Sequence, residues 1–386
     1  MTIVGAFLGK QIRTGGHVRY LELMEGLGRR GNRVLVLMNA LLGYEAAAFR
    51  ELAREVPYRR KSFPPASWVF WAEAGRRAGE IGAAAGRPDA VLVFGETHLA
   101  AGARLARALG APLVYGHRSN AVRESLTYLE EAGHGRAERA RIRAGLWKSR
   151  LDEARIARLG DLLVFQSAYD RDDFLGRNPA AAGRCAVIRG DISGPRFKPE
   201  YARANASSAL RRVCFMGTQG PRKGIDYLVD AIVELKRRGL GELRFRLCGP
   251  GERRGELEAR LAAGGAAGMA ELLGRVPNPF EEIVAADLLV VPSLFDSYPN
   301  TVLEALHAGT PVIGSAVGGI PDMLASEELL FPPMDAAAIA DRIERCVREP
   351  AFYARLRELC AARRGEFDFD WAEAWEKEIR ERLKPS

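Results

Sequence analysis

Residues 289–323 read L-V-V-P-S-L-F-D-S-Y-P-N-T-V-L-E-A-L-H-A-G-T-P-V-I-G-S-A-V-G-G-I-P-D-M, and this stretch decides the fold. An apolar run leads into a polar loop and then into a helix that opens near Asn300 and stops at Gly309. A second apolar run and a Gly-Gly loop follow. Pro299 suits the position at or just before the first turn of a helix. Asn300 and Thr301 then place backbone N–H groups at the helix start, which predicts an anion site.

Two carboxylates in this stretch, Asp296 and Glu304, stand eight positions apart. One lies in the loop and the other a turn into the helix, so both can face one ligand. Carboxylates accept hydrogen bonds from sugar hydroxyls, and a carbohydrate ligand is therefore favoured. The alternative is that both acids are solvated surface residues.

A second informative stretch, residues 213–231, reads V-C-F-M-G-T-Q-G-P-R-K-G-I-D-Y-L-V-D-A. It predicts a strand, a Gly-rich turn and a helix with apolar residues at helical spacing. Lys223, at the end of the turn, can place an ammonium group over a diphosphate and neutralise its charge as it leaves. The alternative is a surface lysine at the entry to a helix.

Short apolar runs recur along the whole chain with helical stretches between them. They predict two series of strands, at 3–8, 33–38, 90–94, 112–115, 161–165 and 185–188, and then at 213–216, 243–248, 287–291, 310–313 and 328–331. Uninterrupted apolar strands that alternate with helices indicate parallel sheets covered on both faces. The predicted fold class is therefore α/β, with two doubly wound, Rossmann-like parallel-sheet domains that face a central cleft at the carboxyl ends of their strands.

Length and composition narrow the class of protein. A chain of 386 residues favours two domains, and 47% hydrophobic with 27% charged residues is typical of globular proteins. No apolar run approaches the roughly 20 residues that a membrane-spanning helix needs. The first ten residues, M-T-I-V-G-A-F-L-G-K, predict a strand instead of a signal peptide. The five cysteines form no close pair, which favours buried, reduced thiols and a cytoplasmic location.

The two stretches together resemble the retaining glycosyltransferases of family 4, which have the two-domain architecture called GT-B. That family has a pair of acids eight residues apart, then E-A-x-A-x-G-x-P-V-I and G-G-I-P-E; this chain has D-x7-E, then E-A-L-H-A-G-T-P-V-I and G-G-I-P-D. The resemblance implies that Glu304 binds the ribose of a nucleotide sugar, that Asp296 contacts the transferred sugar, and that Lys223 holds the diphosphate. The chain departs from the family where Asp296 replaces a Glu and where Thr218 replaces an Arg. Arg222 is a candidate for the missing cation.

The resemblance extends along most of the chain. It implies that the backbone at Arg275 and Val276 lies near the nucleobase, and that Gly15 and Gly16, in R-T-G-G-H after the first strand, approach the donor sugar and phosphates. It also implies that His117, at the end of a strand, faces the donor sugar. The alternative for His117 is a structural hydrogen bond to a neighbouring loop. The expected domains are 1–195, completed by a crossing helix at 368–386, and the nucleotide-sugar-binding domain 205–367.

The predicted function is retaining transfer of a sugar from a nucleotide-diphosphate sugar, with catalytic roles for His117, Lys223 and Asp296. Attack from the leaving-group face is the implied route, and no carboxylate is assigned as nucleophile. The resemblance also implies a uridine diphosphate donor, because such donors are frequent in the family. No metal and no other cofactor is expected, because the chain has no cluster of zinc-like spacing and its D-x-D lies near the carboxyl terminus. Two alternatives stay open: a non-catalytic accessory protein that binds nucleotide sugars, and a GT-B epimerase or phosphorylase.

Positive charge is concentrated in the first half of the chain. The net charge is +8, and the first 195 residues contain 30 Lys and Arg against 20 Asp and Glu. Two segments combine cations with apolar residues: Arg59, Arg60 and Lys61 with Phe63, Trp68, Phe70 and Trp71; and residues 136–158, with eight Lys and Arg, three acids, and Ile142, Leu146, Trp147 and Leu151. Cations beside exposed aromatic residues suit an anionic membrane surface. The sequence thus predicts peripheral docking on the inner membrane face, a lipid-linked or saccharide acceptor from polysaccharide or glycolipid synthesis, and no nucleic-acid partner. The alternative is that the aromatic residues belong to the core.

Overall fold

The computed structural model describes residues 1–7, 15–39, 50–54, 66–131, 135–202 and 209–383. The chain divides into two compact units. The first unit consists of Met1–Arg189 together with Asp370–Ser386, and the second of Gly190–Phe369. None of the described helices is long and apolar enough to cross a bilayer.

The first unit contains a seven-stranded sheet in which all strand pairs are parallel. Its strands are β1 (Thr2–Phe7), β2 (Arg33–Asn39), β3 (Arg50–Arg54), β4 (Ala90–Phe94), β5 (Leu113–Gly116), β6 (Leu162–Phe165) and β7 (Cys185–Val187). Its helices are α1 (Gly15–Arg29), α2 (Ala66–Ala85), α3 (Glu96–Leu109), α4 (Ala121–Glu130), α5 (Arg136–Leu159), α6 (Ala168–Arg177) and the carboxyl-terminal α14 (Trp371–Arg382). The strand order is β3-β2-β1-β4-β5-β6-β7.

Helix α14 is held on the first unit by aromatic packing and ion pairs. The ring of Trp375 lies 5.3 Å from that of Phe94 at the end of β4. Arg30, just after α1, binds Asp370 and Glu376 at 2.8 and 2.7 Å. The predicted crossing helix therefore packs against the amino-terminal part of the chain.

The second unit contains a six-stranded parallel sheet in the order β10-β9-β8-β11-β12-β13. Its strands are β8 (Arg212–Met216), β9 (Arg244–Cys248), β10 (Ala270–Gly274), β11 (Leu288–Val291), β12 (Val312–Ser315) and β13 (Leu330–Phe331). Its helices are α7 (Ile225–Arg237), α8 (Arg254–Ala263), α9 (Pro279–Ala285), α10 (Asn300–Ala308), α11 (Ile320–Leu324), α12 (Ala336–Arg348) and α13 (Pro350–Arg364). The central strands are buried along their whole length, as expected for sheets covered on both faces.

Each of the eleven predicted strands has a counterpart, with ends shifted by up to two residues, and the prediction of two doubly wound parallel sheets is confirmed. Leu8, the predicted end of the first strand, lies outside the described residues. The sequence missed β3 and β10, which stand first in their sheet orders. Their sequences, R-E-L-A-R and A-E-L-L-G, contain no long apolar run, which is the signal that predicted the other strands. The five cysteines are free and buried, as predicted.

Candidate functional site

The strand order of the second sheet reverses between β8 and β11, so the loops that follow these two strands diverge. Ligands of doubly wound sheets bind at such a switch point, outside the carboxyl ends of the strands. Lys223 lies in the loop after β8 and Asp296 in the loop after β11. A backbone hydrogen bond of 2.9 Å from the Leu294 N–H to the Arg222 carbonyl oxygen joins the two loops.

Asp296 is the centre of a charge cluster at this point. Its carboxylate accepts a hydrogen bond from the Lys223 ammonium and lies 3.5 Å from Nη1 of Arg222. Asp296 is only 7% exposed. Burial alone would raise the pKa of this carboxyl, but the charges of Lys223 and Arg222 outweigh it and the pKa lies below its ordinary value. The cluster therefore contains an ionised carboxylate and two cations.

Two glycines, Gly224 and Gly318, allow the loops of this site to approach one another closely. Gly224 has a φ of +66°, and a Cβ atom on it would lie 1.8 Å from the carbonyl oxygen of Pro292. Gly318, with a φ of +56°, would place a Cβ 2.0 Å from the carbonyl oxygen of Asp296. Both positions require glycine because neither the backbone conformation nor the space accepts a side chain. This packing holds Lys223 and Asp296 in contact.

Helix α10 begins at Asn300, as the sequence predicted, and carries Thr301 and Glu304. The Thr301 hydroxyl oxygen is buried and has no hydrogen-bond partner among the described residues. Backbone N–H groups at a helix start bind anions, and an unsatisfied buried hydroxyl is costly without a partner. The start of α10 is thus suited to a ligand with anionic oxygen atoms.

Glu304 pairs with a residue that the sequence did not identify as part of the site. Nη1 of Arg196 lies 3.3 Å from Oε1 of Glu304, and Nη2 lies 3.2 Å from Oδ1 of Asn300. Arg196 lies in the segment G-P-R-F-K-P, residues 194–199, which follows β7. The only signal in the sequence was a cation beside an aromatic residue, which does not reveal a partner 108 positions away.

The remaining predicted residues of the second unit lie on nearby loops. Arg275 is exposed and Val276 is half-buried directly after β10, at the carboxyl edge of the sheet. Thr218, where the family has Arg, is exposed in the loop after β8. Arg222 lies in the same loop as Lys223, and its role as the second cation at the diphosphate stays a prediction.

In the first unit the strand order reverses between β1 and β4, and the predicted residues lie at the carboxyl edge of that sheet. Gly15 and Gly16 open α1. A Cβ on Gly16 would lie 2.5 Å from Nε of Arg118, so the guanidinium group covers the start of this helix. Arg13 and Thr14 of the predicted R-T-G-G-H loop lie outside the described residues.

His117 follows β5, and its backbone N–H donates to the Val164 carbonyl oxygen at 2.8 Å. The imidazole is buried, with its centroid 4.8 Å from the ring of Phe165. Burial, aided by the charge of Arg177, lowers the pKa of His117 to about 4. The ring is therefore neutral near pH 7 and can both donate and accept a hydrogen bond. Its contact with a sugar stays a prediction.

Among the described residues, no group of three or more His, Cys, Asp or Glu side chains is arranged to hold a metal ion. The cations at the switch point are the side chains of Lys223 and Arg222.

Two family models match consecutive parts of the chain. Residues 14–190 match the glycosyl transferase 4-like domain, and residues 211–349 match the glycosyl transferases of group 1. The chain belongs to the group 1 glycosyl transferases. The second match contains Lys223, Asp296 and Glu304. The residues predicted to bind the donor therefore lie in the part of the chain that matches the group 1 model.

Named glycosyltransferases match the chain over part of its length. D-inositol 3-phosphate glycosyltransferase of Streptomyces avermitilis is 30% identical over 58% of the chain and 52% of its own length. 2-Deoxystreptamine glucosyltransferase of Streptomyces kanamyceticus is 33% identical over 39% of each protein. The chain thus spans about half or less of the length of these relatives.

Solved structures match over nearly the full chain. Sucrose-phosphate synthase from Thermosynechococcus elongatus has a TM-score of 0.78 at 20% identity and covers 98% of both chains. HepE from Anabaena, solved in complex with UDP-glucose, has a TM-score of 0.72 at 17% identity and covers 99% of both chains. These structural matches show that the chain has the two-domain α/β fold called GT-B.

Proposed function

We propose that this chain transfers a sugar from a nucleotide-diphosphate sugar to an acceptor with retention of anomeric configuration. The observation that supports this best is the cluster of Lys223, Arg222 and Asp296 at the switch point of the second sheet. Two cations held at one place suit a diphosphate, and the start of α10 with its unsatisfied Thr301 hydroxyl adds further donors.

The chemistry of the proposed reaction follows from these groups. The bond between the anomeric carbon and the diphosphate breaks, and negative charge grows on the departing oxygen. A lysine ammonium has three N–H donors, so Lys223 can contact Asp296 and a diphosphate oxygen together. Asp296, ionised and held by the cations, can accept hydrogen bonds from the hydroxyls of the sugar as it becomes oxocarbenium-like. The acceptor hydroxyl attacks from the face that the diphosphate leaves: its oxygen forms the new bond to the anomeric carbon, and its proton passes to the departing diphosphate oxygen.

A uridine diphosphate sugar is the donor we propose, in keeping with the complex in which HepE was solved. The test is a thermal-shift screen with UDP-, GDP-, ADP- and TDP-glucose, followed by measurement of nucleotide release. Binding with release supports transfer or hydrolysis of the donor. Binding of a donor without release under any acceptor condition would favour an accessory protein, and formation of sugar 1-phosphate from phosphate would favour a phosphorylase.

The role proposed for Glu304 predicts the effect of Glu304→Gln. The substitution removes a carboxylate that would accept hydrogen bonds from ribose hydroxyls, and we expect nucleoside diphosphate binding to weaken about tenfold or more. Isothermal titration calorimetry with uridine diphosphate measures this change in affinity. Glu344→Gln is the matched control, because Glu344 also pairs with an arginine, Arg238 at 2.8 Å, but lies on α12. Equal affinities for wild type and Glu304→Gln would contradict the ribose role.

We further propose that the first unit docks on an anionic lipid surface, which brings the enzyme to a lipid-linked or polysaccharide precursor. The structure changes the set of residues that supports this. Arg59, Arg60, Lys61 and Phe63 lie outside the described residues. Phe70, predicted among the exposed aromatic residues, is fully buried in the core of the first unit, and Leu146 is also buried. Trp68 and Trp71 of the same segment are 65% and 47% exposed, and the guanidinium group of Arg104 lies over the Trp71 ring.

The surface that combines an exposed tryptophan with several described cations is the outer face of α5. Trp147 and Leu151 are 67% and 40% exposed, while Leu146, Glu153 and Ile156 are buried on the opposite side of the helix. Helical spacing places Arg143, Arg150 and Arg158 on the same outer face as Trp147. This face, which we call the α5 basic face, contains Arg136, Arg143, Trp147, Arg150, Leu151 and Arg158. A tryptophan surrounded by cations is typical of an interfacial helix.

The α5 basic face predicts a site-specific effect of charge reversal. Arg143→Glu removes one attractive charge and adds a repulsive one, each about 1 kcal/mol near an anionic surface, so binding to anionic vesicles should fall about thirtyfold. The control is Arg141→Glu, which changes the net charge equally on another side of the helix, where Arg141 pairs with Glu138. Co-sedimentation at low salt measures both. Equal losses for the two variants, or equal retention of wild type by neutral vesicles, would contradict docking through this face.

A further inference from the structure

Arg196 connects two side chains of α10 that the proposed function assigns to donor binding. Its guanidinium group donates to Oε1 of Glu304 at 3.3 Å and to Oδ1 of Asn300 at 3.2 Å. The two acceptors stand four residues apart on the helix and thus on one face. The side chains of Arg196 and Glu304 are 16% and 13% exposed, so solvent screens this ion pair little.

The backbone on both sides of Arg196 is fixed to the second unit. The Ile192 N–H donates to the Phe367 carbonyl oxygen at 2.9 Å. Phe197 is buried, and its ring lies 5.3 Å from that of His307 on α10. Nε2 of His307 in turn lies 2.9 Å from the Lys198 carbonyl oxygen. The guanidinium group therefore extends from a rigid segment.

A glutamate on a helix surface has several rotamers of similar energy, and binding a ligand in one of them costs conformational entropy. A partner that holds the carboxylate beforehand lowers that cost. The guanidinium group is planar and presents its donors in a fixed fork, which suits the simultaneous contact with Asn300 and Glu304. A carboxylate accepts about four hydrogen bonds, so pairing with Arg196 is compatible with binding ribose hydroxyls.

We propose that Arg196 is a positioning residue that holds Glu304 in the orientation in which it binds the ribose of the nucleotide. This rests on the proposed function, in which Glu304 receives the ribose hydroxyls. Arg196 acts through Glu304, so its removal should matter only for nucleotides that have those hydroxyls.

The experiment compares uridine diphosphate with 2′,3′-dideoxyuridine diphosphate, using the full chain and calorimetry. For Arg196→Gln we expect affinity for uridine diphosphate to fall about tenfold and affinity for the dideoxy nucleotide to stay within about twofold of wild type. Arg196→Lys keeps the charge but lacks the fork, so it should recover part of the affinity for uridine diphosphate. Arg342→Gln is the control for loss of a buried arginine, because Arg342 binds the Glu328 and Leu330 carbonyl oxygens of the same unit.

Equal losses for both nucleotides in Arg196→Gln would show a general structural role and overturn the inference. No loss for either nucleotide would overturn it as well. A wild-type protein that binds the two nucleotides equally would contradict the ribose role of Glu304, and the inference would fail with the proposed function. A wild-type protein that prefers uridine diphosphate, with an unchanged Arg196→Gln variant, would overturn the inference alone.

Discussion

Replacing Lys223 with methionine should lower the rate of sugar transfer at saturating donor by about a hundredfold or more. The ammonium group of Lys223 is held by Asp296 at the switch point, where the diphosphate of the donor is proposed to lie. Removing one preorganised donor to a developing negative charge typically costs about 10²–10³ in turnover. Because the charge on the leaving oxygen is greatest in the transition state, binding of the donor should weaken less than turnover falls.

Lys236→Met provides the matched control for this prediction. Lys236 lies in the last turn of α7, the helix that follows the loop of Lys223, and is exposed. Lys236→Met should unfold at a temperature close to that of wild type. Lys223→Met leaves the buried Asp296 with one cation fewer and should unfold at a lower temperature, so turnover is compared well below both unfolding temperatures. Single-turnover measurements with radiolabelled donor would separate the effect on donor binding from the effect on turnover. Turnover of Lys223→Met within about threefold of wild type would remove Lys223 from the mechanism.

The second large effect is expected at Gly224, and it concerns stability. In Gly224→Ala the new Cβ would lie 1.8 Å from the Pro292 carbonyl oxygen, and the residue would keep a φ of +66°. The left-handed conformation costs an L-residue about 1–2 kcal/mol, and an overlap with backbone adds about 1–3 kcal/mol because no side-chain rotation relieves it. We expect the free energy of unfolding of the second unit to fall by about 3 kcal/mol, together with a loss of nucleotide binding.

Gly265→Ala separates the two contributions. Gly265 has a φ of +69°, close to that of Gly224, but no atom lies within 4 Å of a Cβ placed on it. The free energy of unfolding of Gly265→Ala should therefore fall only by what the left-handed backbone costs, about 1–2 kcal/mol. Urea unfolding of both variants measures the difference. Equal destabilisation by the two alanines would show that the contact between the loops after β8 and β11 is not what requires Gly224.

The strands and the loops of the site could be predicted from the sequence because their signals are local. An apolar run such as L-L-V-V at β11 predicts a strand buried on both faces, whatever the rest of the chain does. Pro299 ahead of Asn300 predicts the start of α10 in the same way. The strands β3 and β10, with the sequences R-E-L-A-R and A-E-L-L-G, contain no long apolar run, so no local signal distinguishes them from a loop or a helix.

The sequence by itself determined the fold class and the residues that crowd the switch point of the second sheet, including Lys223, Asp296 and Glu304. Only the tertiary structure decided which charges pair: Asp296 with cations 73 and 74 positions away, and Glu304 with Arg196. It also decided that Phe70 is core while Trp147 is exposed. Composition and periodicity describe residues that are neighbours along the chain. The partner of a side chain depends instead on where the fold places the loops and helices around each sheet. That information is spread over the whole domain.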